Sequence, residues 1–300
     1  KEELSELGHR FLTQTDTEVL LKSYQEWGSS CLNKLNGMFA FAIFNKETEE
    51  LFIARDRFGV KPLYYYFDDK NFIFGSEIKS IISHPEVRTK PNEAVLGKFL
   101  FTGLLNDTVL TFFSDIFSLE SGHFMEYRKG ILKTTRWYLN DPFPPQENST
   151  EDSSLDVLDL KKLFHNAVNI RLRSDVEVGA CLSGGMDSSA IVGAISEITS
   201  SGDKSSSGSF KTFSAVFSDP AISETKYVDE VTKFTQTKNF SFSPKNELFW
   251  DSISKLIWHN DEPIQSPSQY IQWSVFEEAK NDCLLYTSPS PRDRTRSRMP

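Results

Sequence analysis

The chain has 300 residues, of which 38% are apolar and 25% charged, an ordinary balance for a globular protein of about two domains. Its 33 basic and 42 acidic side chains leave a net charge of −9, which argues against a general binder of nucleic acid or membrane surfaces. No apolar run reaches the roughly eighteen residues of a membrane span, and the charged opening "KEELSELGHR" lacks both a signal-peptide core and an initiator Met, so a cytoplasmic protein whose chain starts in mid-sequence is expected.

Residues 13–28 carry the first clear helix signal, with Thr15 and Glu18 spaced as a capping box, Val19, Leu20, Tyr24 and Trp27 on one face, and Gly28 as a stop. Three hairpins follow. "GMFAFAIFNKETEELFIARD" turns on its polar centre, "PLYYYFDDKNFIFGSE" turns near Asp68 to Asn71, and "SGHFMEYRKGILKTTRWYL" turns at Lys129-Gly130. Residues 86–104 are more helical and interrupt the strands. The segment 139–153, "LNDPFPPQENSTEDS", reads as a linker or long surface loop and is the best domain boundary.

Beyond it strand and helix alternate. Residues 154–173 predict an amphipathic helix with Leu160, Phe164, Val168 and Leu172 on one stripe. "VEVGACL", "FKTFSAVF" and "NFSFS" read as strands, "SSSGS" as a polar loop, and "DSSAIVGAISEI", "SETKYVDEVTKFTQ", "NELFWDSISKLIWH" and residues 268–280 as helices. That rhythm predicts a parallel sheet with helices on both faces. A buried strand should come after Lys280, but residues 286–300 are Ser, Pro, Arg and Thr with almost no apolar residue, so a foreign tail is expected there. Cys31, Cys181 and Cys283 are odd in number and far apart, which fits free thiols in a reducing compartment better than disulfides or a zinc set.

The segment with chemistry is Ser183-Gly184-Gly185-Met186-Asp187-Ser188-Ser189, between a predicted strand and a predicted helix. That is the crevice where parallel sheets bind ligands. The glycines permit close backbone approach and the serines supply hydroxyl donors. A helix N-terminus adds unpaired N–H groups and the positive end of its dipole. Asp187 suits a phosphate accompanied by Mg²⁺ better than a bare phosphate. The segment is neither GxxxxGK[ST] nor GxGxxG.

The SGGxDSS spacing is similar to that of the pyrophosphatase-loop ATPases, which cleave ATP between its α and β phosphates. The preceding "DTEVLLKSYQEWGSSCLNKLNGMFAFAIFNKETEELFIARDRFGVKPLYY" and "FGSEIKSI" resemble class II glutamine amidotransferase domains. In that order the two resemble the glutamine-hydrolysing asparagine synthetases over residues 1–283. The implied fold is an incomplete α+β amidotransferase-like domain with antiparallel sheets, then a truncated α/β domain with a parallel sheet. The implied domains are 1–140 (amidotransferase, without its nucleophile segment), 141–153 (linker), 154–283 (ATP-binding asparagine synthase domain) and 284–300 (non-native tail).

The resemblance implies that Asp16 binds the amino group of glutamine. It sets Leu182, Ser183, Gly184, Gly185, Asp187, Ser188 and Ser189 against ATP, makes Asp187 a ligand of Mg²⁺ and pyrophosphate, and has a backbone group of Ala215 contact adenine. Asn36-Gly37 is expected to be a structural turn rather than an oxyanion hole, and Arg55, Asp56 and Gly59 a turn held by charge pairing. "HNDEPIQSPSQY" resembles the family's DEP loop, either on the substrate side or as a stiffened connection.

The implied reaction releases ammonia from glutamine in the first domain and passes it through an internal passage to the second. There ATP activates aspartate as an acyl-adenylate, and asparagine, AMP and pyrophosphate are released. The partners implied are glutamine, aspartate and ATP, with neither nucleic acid nor membrane, and a homodimer is an assembly the resemblance allows. The family's N-terminal Cys nucleophile and its later Gly-rich acidic loop do not match any segment here, since the chain opens on Lys1, so the fragment itself is expected to be inactive. Alternatives are a ligase of the same scaffold with another carboxylate acceptor, and a non-catalytic homologue. A stand-alone pyrophosphatase-loop enzyme would leave the β-rich first half unexplained.

Overall fold

The computed structural model describes residues 1–139, 153–174, 177–200, 210–219, 223–245, 247–280 and 285–286. The chain divides into two compact units, Lys1–Pro144 and Pro145–Pro300. Residues 140–152 of the predicted linker, the "SSSGS" loop and most of the C-terminal tail lie outside the described residues.

The first unit is built from β1 (Ala40–Asn45), β2 (Glu50–Arg55), β3 (Tyr64–Phe67), β4 (Phe72–Gly75), β5 (Ile116–Ser118), β6 (His123–Arg128) and β7 (Ile131–Arg136). The three predicted hairpins form, with Asn45 opposite Glu50, Phe67 opposite Phe72 and Arg128 opposite Ile131. Their turns are local chemistry. Asn45 Oδ1 accepts from the amides of Glu47 and Thr48, and Asp68 Oδ1 from those of Lys70 and Asn71, so short polar side chains replace ladder hydrogen bonds at these two bends, while the third turns on Lys129 and Gly130, both at positive φ. The strands make two antiparallel sheets, ordered β1-β2-β6-β7 and β4-β3-β5. Helix α1 (Glu2–Glu6) opens the chain, the helical content expected over 86–104 is α4 (Glu93–Thr102), capped by Asn92, and α3 (Ile78–Ile82) lies upstream of that range.

Three apolar clusters order the layers. Phe52, Ala54 and Phe124 pack against Cys31, Leu32, Tyr24 and Trp27, from α2 (Asp16–Trp27) and the 3-10 turn Gly28–Lys34. Their strand neighbours Ile53 and Met125 point the other way, onto Leu63, Leu119 and Tyr65. Tyr64, Tyr66 and Ile116 then meet Ile78 and Ile81 of α3. The period-2 alternation of β2 thus fills both of its faces, and the unit stacks helix, sheet, sheet, helix. Burial raises the Cys31 thiol pKa to about 11, so this side chain behaves as a small apolar filler.

The second unit holds α5 (Ser153–Arg171), β8 (Val178–Cys181), α6 (Met186–Ser200), β9 (Lys211–Ala215), α7 (Thr225–Thr235), β10 (Lys238–Phe242), α8 (Leu248–Asn260), α9 (Ser268–Ala279) and β11 (Leu285–Tyr286). Its sheet is wholly parallel and ordered β10-β9-β8-β11. One face carries Ala180 and Leu182 against Val192 of α6 and Val228 of α7, and the other carries Phe213 against Val275 and Ala279 of α9. Helices therefore cover both faces, as the alternating pattern predicts.

Two expectations change. The stripe on α5 is only half used. Val168 and Leu172 are buried against Ala194, Ile195 and Ile198 of α6, whereas Leu160 is 67% and Phe164 37% exposed, and it is their neighbours Lys161 and His165 that meet Glu197 of α6. A strand does follow α9: Leu285–Tyr286 pairs with Val178 and Gly179, two residues beyond the expected junction at Cys283.

Candidate functional site

Strand β8 ends at Cys181 and α6 begins at Met186, so the SGGMDSS segment is a strand-to-helix connection at the carboxyl end of a parallel sheet. The turn depends on Gly184, whose φ is +85°, in the left-handed region. A methyl there would also lie 2.9 Å from Tyr227 Cβ, 3.1 Å from the Glu224 carbonyl oxygen and 3.3 Å from the Val228 amide nitrogen. The start of α7 therefore backs the loop.

Serines brace the loop from within. Gly185 N donates to Ser183 Oγ at 3.2 Å, Ser183 N to Ser188 Oγ at 3.3 Å, and Ser188 Oγ to the Gly185 carbonyl at 3.1 Å. Ser189 N donates to the Gly185 carbonyl at 3.0 Å and starts the helical ladder, which leaves the amides of Met186, Asp187 and Ser188 without intrahelical acceptors. Ser189 Oγ is closed off from solvent and has no hydrogen-bond partner among the described residues. Unpaired amides at the end of a 15-residue helix, with an unpaired hydroxyl beside them, suit an anion.

The predicted residues divide by role. Leu182 is 1% exposed and its side chain is core, so only its backbone faces the loop. Its amide donates to the Phe213 carbonyl at 2.9 Å and its carbonyl accepts from Ser214 Oγ at 2.7 Å, a contact that sequence reading did not single out. Ser183 and Asp187 are exposed, while Gly184, Gly185, Ser188 and Ser189 are half-buried. Ala215 closes β9 beside the loop, with its methyl on the Phe213 and Val275 cluster. Among the described residues no group of three His, Cys, Asp or Glu could hold a metal ion by itself. One exposed carboxylate, Asp187, does fit a Mg²⁺ carried in largely by phosphates, which needs only one or two protein carboxylates.

The loop between α8 and α9 reaches the same edge, since α9 must start at the carboxyl end of the strands to lead back into β11. There Glu262 and Asn260 are buried, and the Tyr270 hydroxyl donates to the Lys245 carbonyl at 3.1 Å, just past β10.

In the first unit, Asp16 is the first residue of α2 and exposed, and no hydrogen bond or ion pair engages its carboxylate among the described residues. Thr15 caps the helix by accepting from Glu18 N, but Glu18 does not close the box on Thr15. Its carboxylate accepts instead from Leu12 N, Thr13 N and Thr13 Oγ1, at 2.8, 2.7 and 2.6 Å. The Thr13 hydroxyl first, then the Leu12 amide, lower the Glu18 pKa to about 2. A depressed folded pKa gives a stabilisation that is complete above the ordinary value of 4.5 and is lost as pH falls toward 2. The Leu12 and Thr13 amide resonances should accordingly titrate with a midpoint near 2, and Glu18→Gln should abolish that titration. A midpoint at the ordinary carboxylate value would refute the assigned hydrogen bonds.

The Arg55–Asp56 turn is structural, but not through pairing of the two charges. Asp56 accepts from four backbone amides, those of Phe39, Phe58, Val60 and Lys61, while Arg55 donates to the carbonyls of Gly59, Lys61 and Leu119 and to Ser118 Oγ. Burial lowers the Arg55 pKa, and the nearby Tyr64 and Asp56 offset that only in part. Gly59, with φ +63°, approaches the Arg55 guanidinium closely. Asn36-Gly37 lies in an exposed bend before β1.

Comparison with known proteins matches residues 1–138 to the glutamine amidotransferase domain model and residues 159–285 to the asparagine synthase model. A putative glutamine-hydrolysing asparagine synthetase 2 of Methanocaldococcus jannaschii is 37% identical over 89% of this chain and 50% of its own length. The glutamine-hydrolysing asparagine synthetase 1 of Bacillus subtilis is 34% identical over 98% of this chain and 44% of its own. Synthetase 3 of the same organism is 38% identical over 64% of this chain and 30% of its own length. The chain thus spans about half the length of the first two relatives.

Proposed function

The chain belongs to the family that joins a glutamine amidotransferase domain to an asparagine synthase domain, and on that premise we propose that the protein it forms part of is an ATP-dependent amide ligase of the cytoplasm. It takes ammonia from glutamine and transfers it to aspartate, giving asparagine, AMP and pyrophosphate. The observation that carries this reading is the serine-braced loop at the carboxyl end of β8, with its unpaired helix amides and the orphan Ser189 hydroxyl. A nucleotide polyphosphate supplies the acceptors that those donors lack.

The aspartate side-chain carboxylate attacks the α-phosphorus. A C–O–P bond forms, the bond to the bridging oxygen of the β-phosphate breaks, and pyrophosphate leaves. The amides of Met186, Asp187 and Ser188 receive the charge that develops on it, in fixed positions that need no reorganisation. Asp187 would hold Mg²⁺, which when bound draws charge from the leaving pyrophosphate. Leu182 and Ala215 present backbone to the adenosine, so their side chains serve packing. Ammonia then attacks the acyl carbon, AMP departs with the C–O bond electrons, and a proton is lost. Asp16 would pair with the ammonium of glutamine, a role that its exposed carboxylate leaves it available for.

The test is aspartate-dependent pyrophosphate release by the complete protein, with Asp187→Asn expected to slow it about a hundredfold and to leave glutamine hydrolysis unchanged. Pyrophosphate release with a different carboxylic acid and none with aspartate would replace the acceptor. No release with any would overturn the ligase reading.

A further inference from the structure

Beneath the loop, on the sheet face covered by α6 and α7, lies a polar ladder in an otherwise apolar setting. Thr212 and Ser214 on β9 are 0% and 1% exposed. Register puts Asn239 of β10 opposite Thr212 and Ser241 opposite Ser214, so all four side chains share that face. Ser214 Oγ lies 2.7 Å from the Leu182 carbonyl oxygen and 3.0 Å from Asn239 Oδ1. Thr212 Oγ1 lies 2.9 Å from the same Oδ1, and Asn239 Nδ2 lies 2.8 Å from Ser241 Oγ.

Counting hydrogens decides how this ladder is wired. Ser214 has one hydroxyl hydrogen and faces two oxygens that only accept. If it donates to Leu182, its oxygen confronts Asn239 Oδ1 at 3.0 Å with no hydrogen between them. If it donates to Asn239, the 2.7 Å contact to Leu182 has none. Turning the Asn239 amide over by 180°, which leaves its shape unchanged, removes the conflict. Nδ2 then donates to Thr212 Oγ1 and Ser214 Oγ, Ser214 donates to the Leu182 carbonyl, and the Ser241 hydroxyl donates to Oδ1. Each of the four contacts then holds one hydrogen, and Thr212 accepts instead of donating, so its own hydroxyl hydrogen has no acceptor within the ladder.

We propose that Ser214, held by Asn239 Nδ2, is a positioning residue for the phosphate loop. Its hydroxyl fixes the carbonyl of Leu182, the last residue before Ser183, and so sets where the loop leaves β8. Asn239 serves as the donor that keeps the single Ser214 hydrogen aimed at Leu182. The inference rests on the reading that the loop binds the pyrophosphate end of ATP. A chain of like-oriented hydrogen bonds, from Ser241 at the sheet edge to the base of the loop, polarises in one direction and resists a change at either end.

Two substitutions in the complete protein test it. Ser214→Ala removes the hydroxyl. Asn239→Asp, at a half-buried edge position, keeps the shape but offers only acceptors, and draws the Ser214 hydrogen away from Leu182. Binding of ATP, inorganic pyrophosphate and adenosine is measured for each. Both variants should weaken ATP and pyrophosphate roughly tenfold, the effect of one hydrogen bond, with adenosine affinity unchanged. A merely structural role would weaken all three ligands or none. If Ser214→Ala does not fold, Asn239→Asp decides alone. Wild-type affinity for pyrophosphate in Asn239→Asp overturns the proposal, whereas failure of the unmodified protein to bind ATP or pyrophosphate overturns the reading of the loop itself.

Discussion

Gly184→Ala is expected to cost about 2–5 kcal/mol of stability and to abolish nucleotide binding by the loop. Two penalties add. An L side chain in the left-handed region costs about 1–2 kcal/mol. The new methyl meets Tyr227 Cβ at 2.9 Å and backbone atoms of Glu224 and Val228 at 3.1 and 3.3 Å, and overpacking of that kind costs about 1–3 kcal/mol. Backbone atoms at the start of a helix cannot swing aside as a side-chain tip does. Either α7 moves outward or the loop gives up its turn, and in both cases the amides of Met186, Asp187 and Ser188 lose their common aim. Gly185→Ala is the control, because a methyl there meets only Ser183 Oγ, at 3.3 Å, and Gly185 has no positive φ. Thermal unfolding and ATP binding read both variants. Equal behaviour of the two alanines would show that Tyr227 and α7 do not constrain the loop.

The second large effect belongs to the first unit. Asp56→Asn should destabilise the chain by about 3–5 kcal/mol, in the range where single substitutions are exceptional. Asp56 is 1% exposed. Its Oδ1 accepts from Phe58 N and Val60 N, and its Oδ2 from Phe39 N and Lys61 N. An amide keeps one oxygen, but its NH₂ must face two backbone donors, so two N–H groups, shielded in part and in the case of Lys61 fully, lose their acceptor whichever way it turns. Each costs about 1–3 kcal/mol. Asp56→Ala orphans all four. The loss extends beyond the turn, because Arg55 ties the same segment to Ser118 of the second sheet and to Leu119 just past it, and Trp137 Nε1 donates to the Arg55 carbonyl at 3.2 Å. Urea unfolding followed by tryptophan fluorescence would report it, with Trp27 and Trp137 both in the affected core. An Asp56→Asn variant within about 1 kcal/mol of the parent would show that water reaches the four amides.

What was legible before any coordinates is what depends on neighbours in the chain. The hairpins were, because Asn45 and Asp68 close their turns on amides two and three residues away. The strand–loop–helix setting of Ser183 to Ser189 was too, since two glycines between an apolar strand and a helical stripe permit the positive φ that a tight strand-to-helix turn needs. The pairing of an amidotransferase half with a synthase half followed from motifs that are contiguous.

Other features stayed hidden because they depend on what packs against them. Arg55 and Asp56, adjacent and opposite in charge, suggested a pair, yet each satisfies its hydrogen bonds on backbone that a folded turn and a second sheet bring near. The four apolar residues on α5 have one period, but only Val168 and Leu172 find α6, and periodicity does not say how far a neighbour extends. Thr212 and Ser214 alternate with Phe213, the pattern of a strand with one wet face. A parallel sheet is roofed on both sides, so those hydroxyls are buried and must find partners across β10 and at Leu182. Neighbours along the chain suffice for the local turns, the order of strands and helices, and the family. Tertiary structure alone decided which polar groups were shut away from water, because burial is a property of pairs of elements and hydrogen-bond partners must then be found inside.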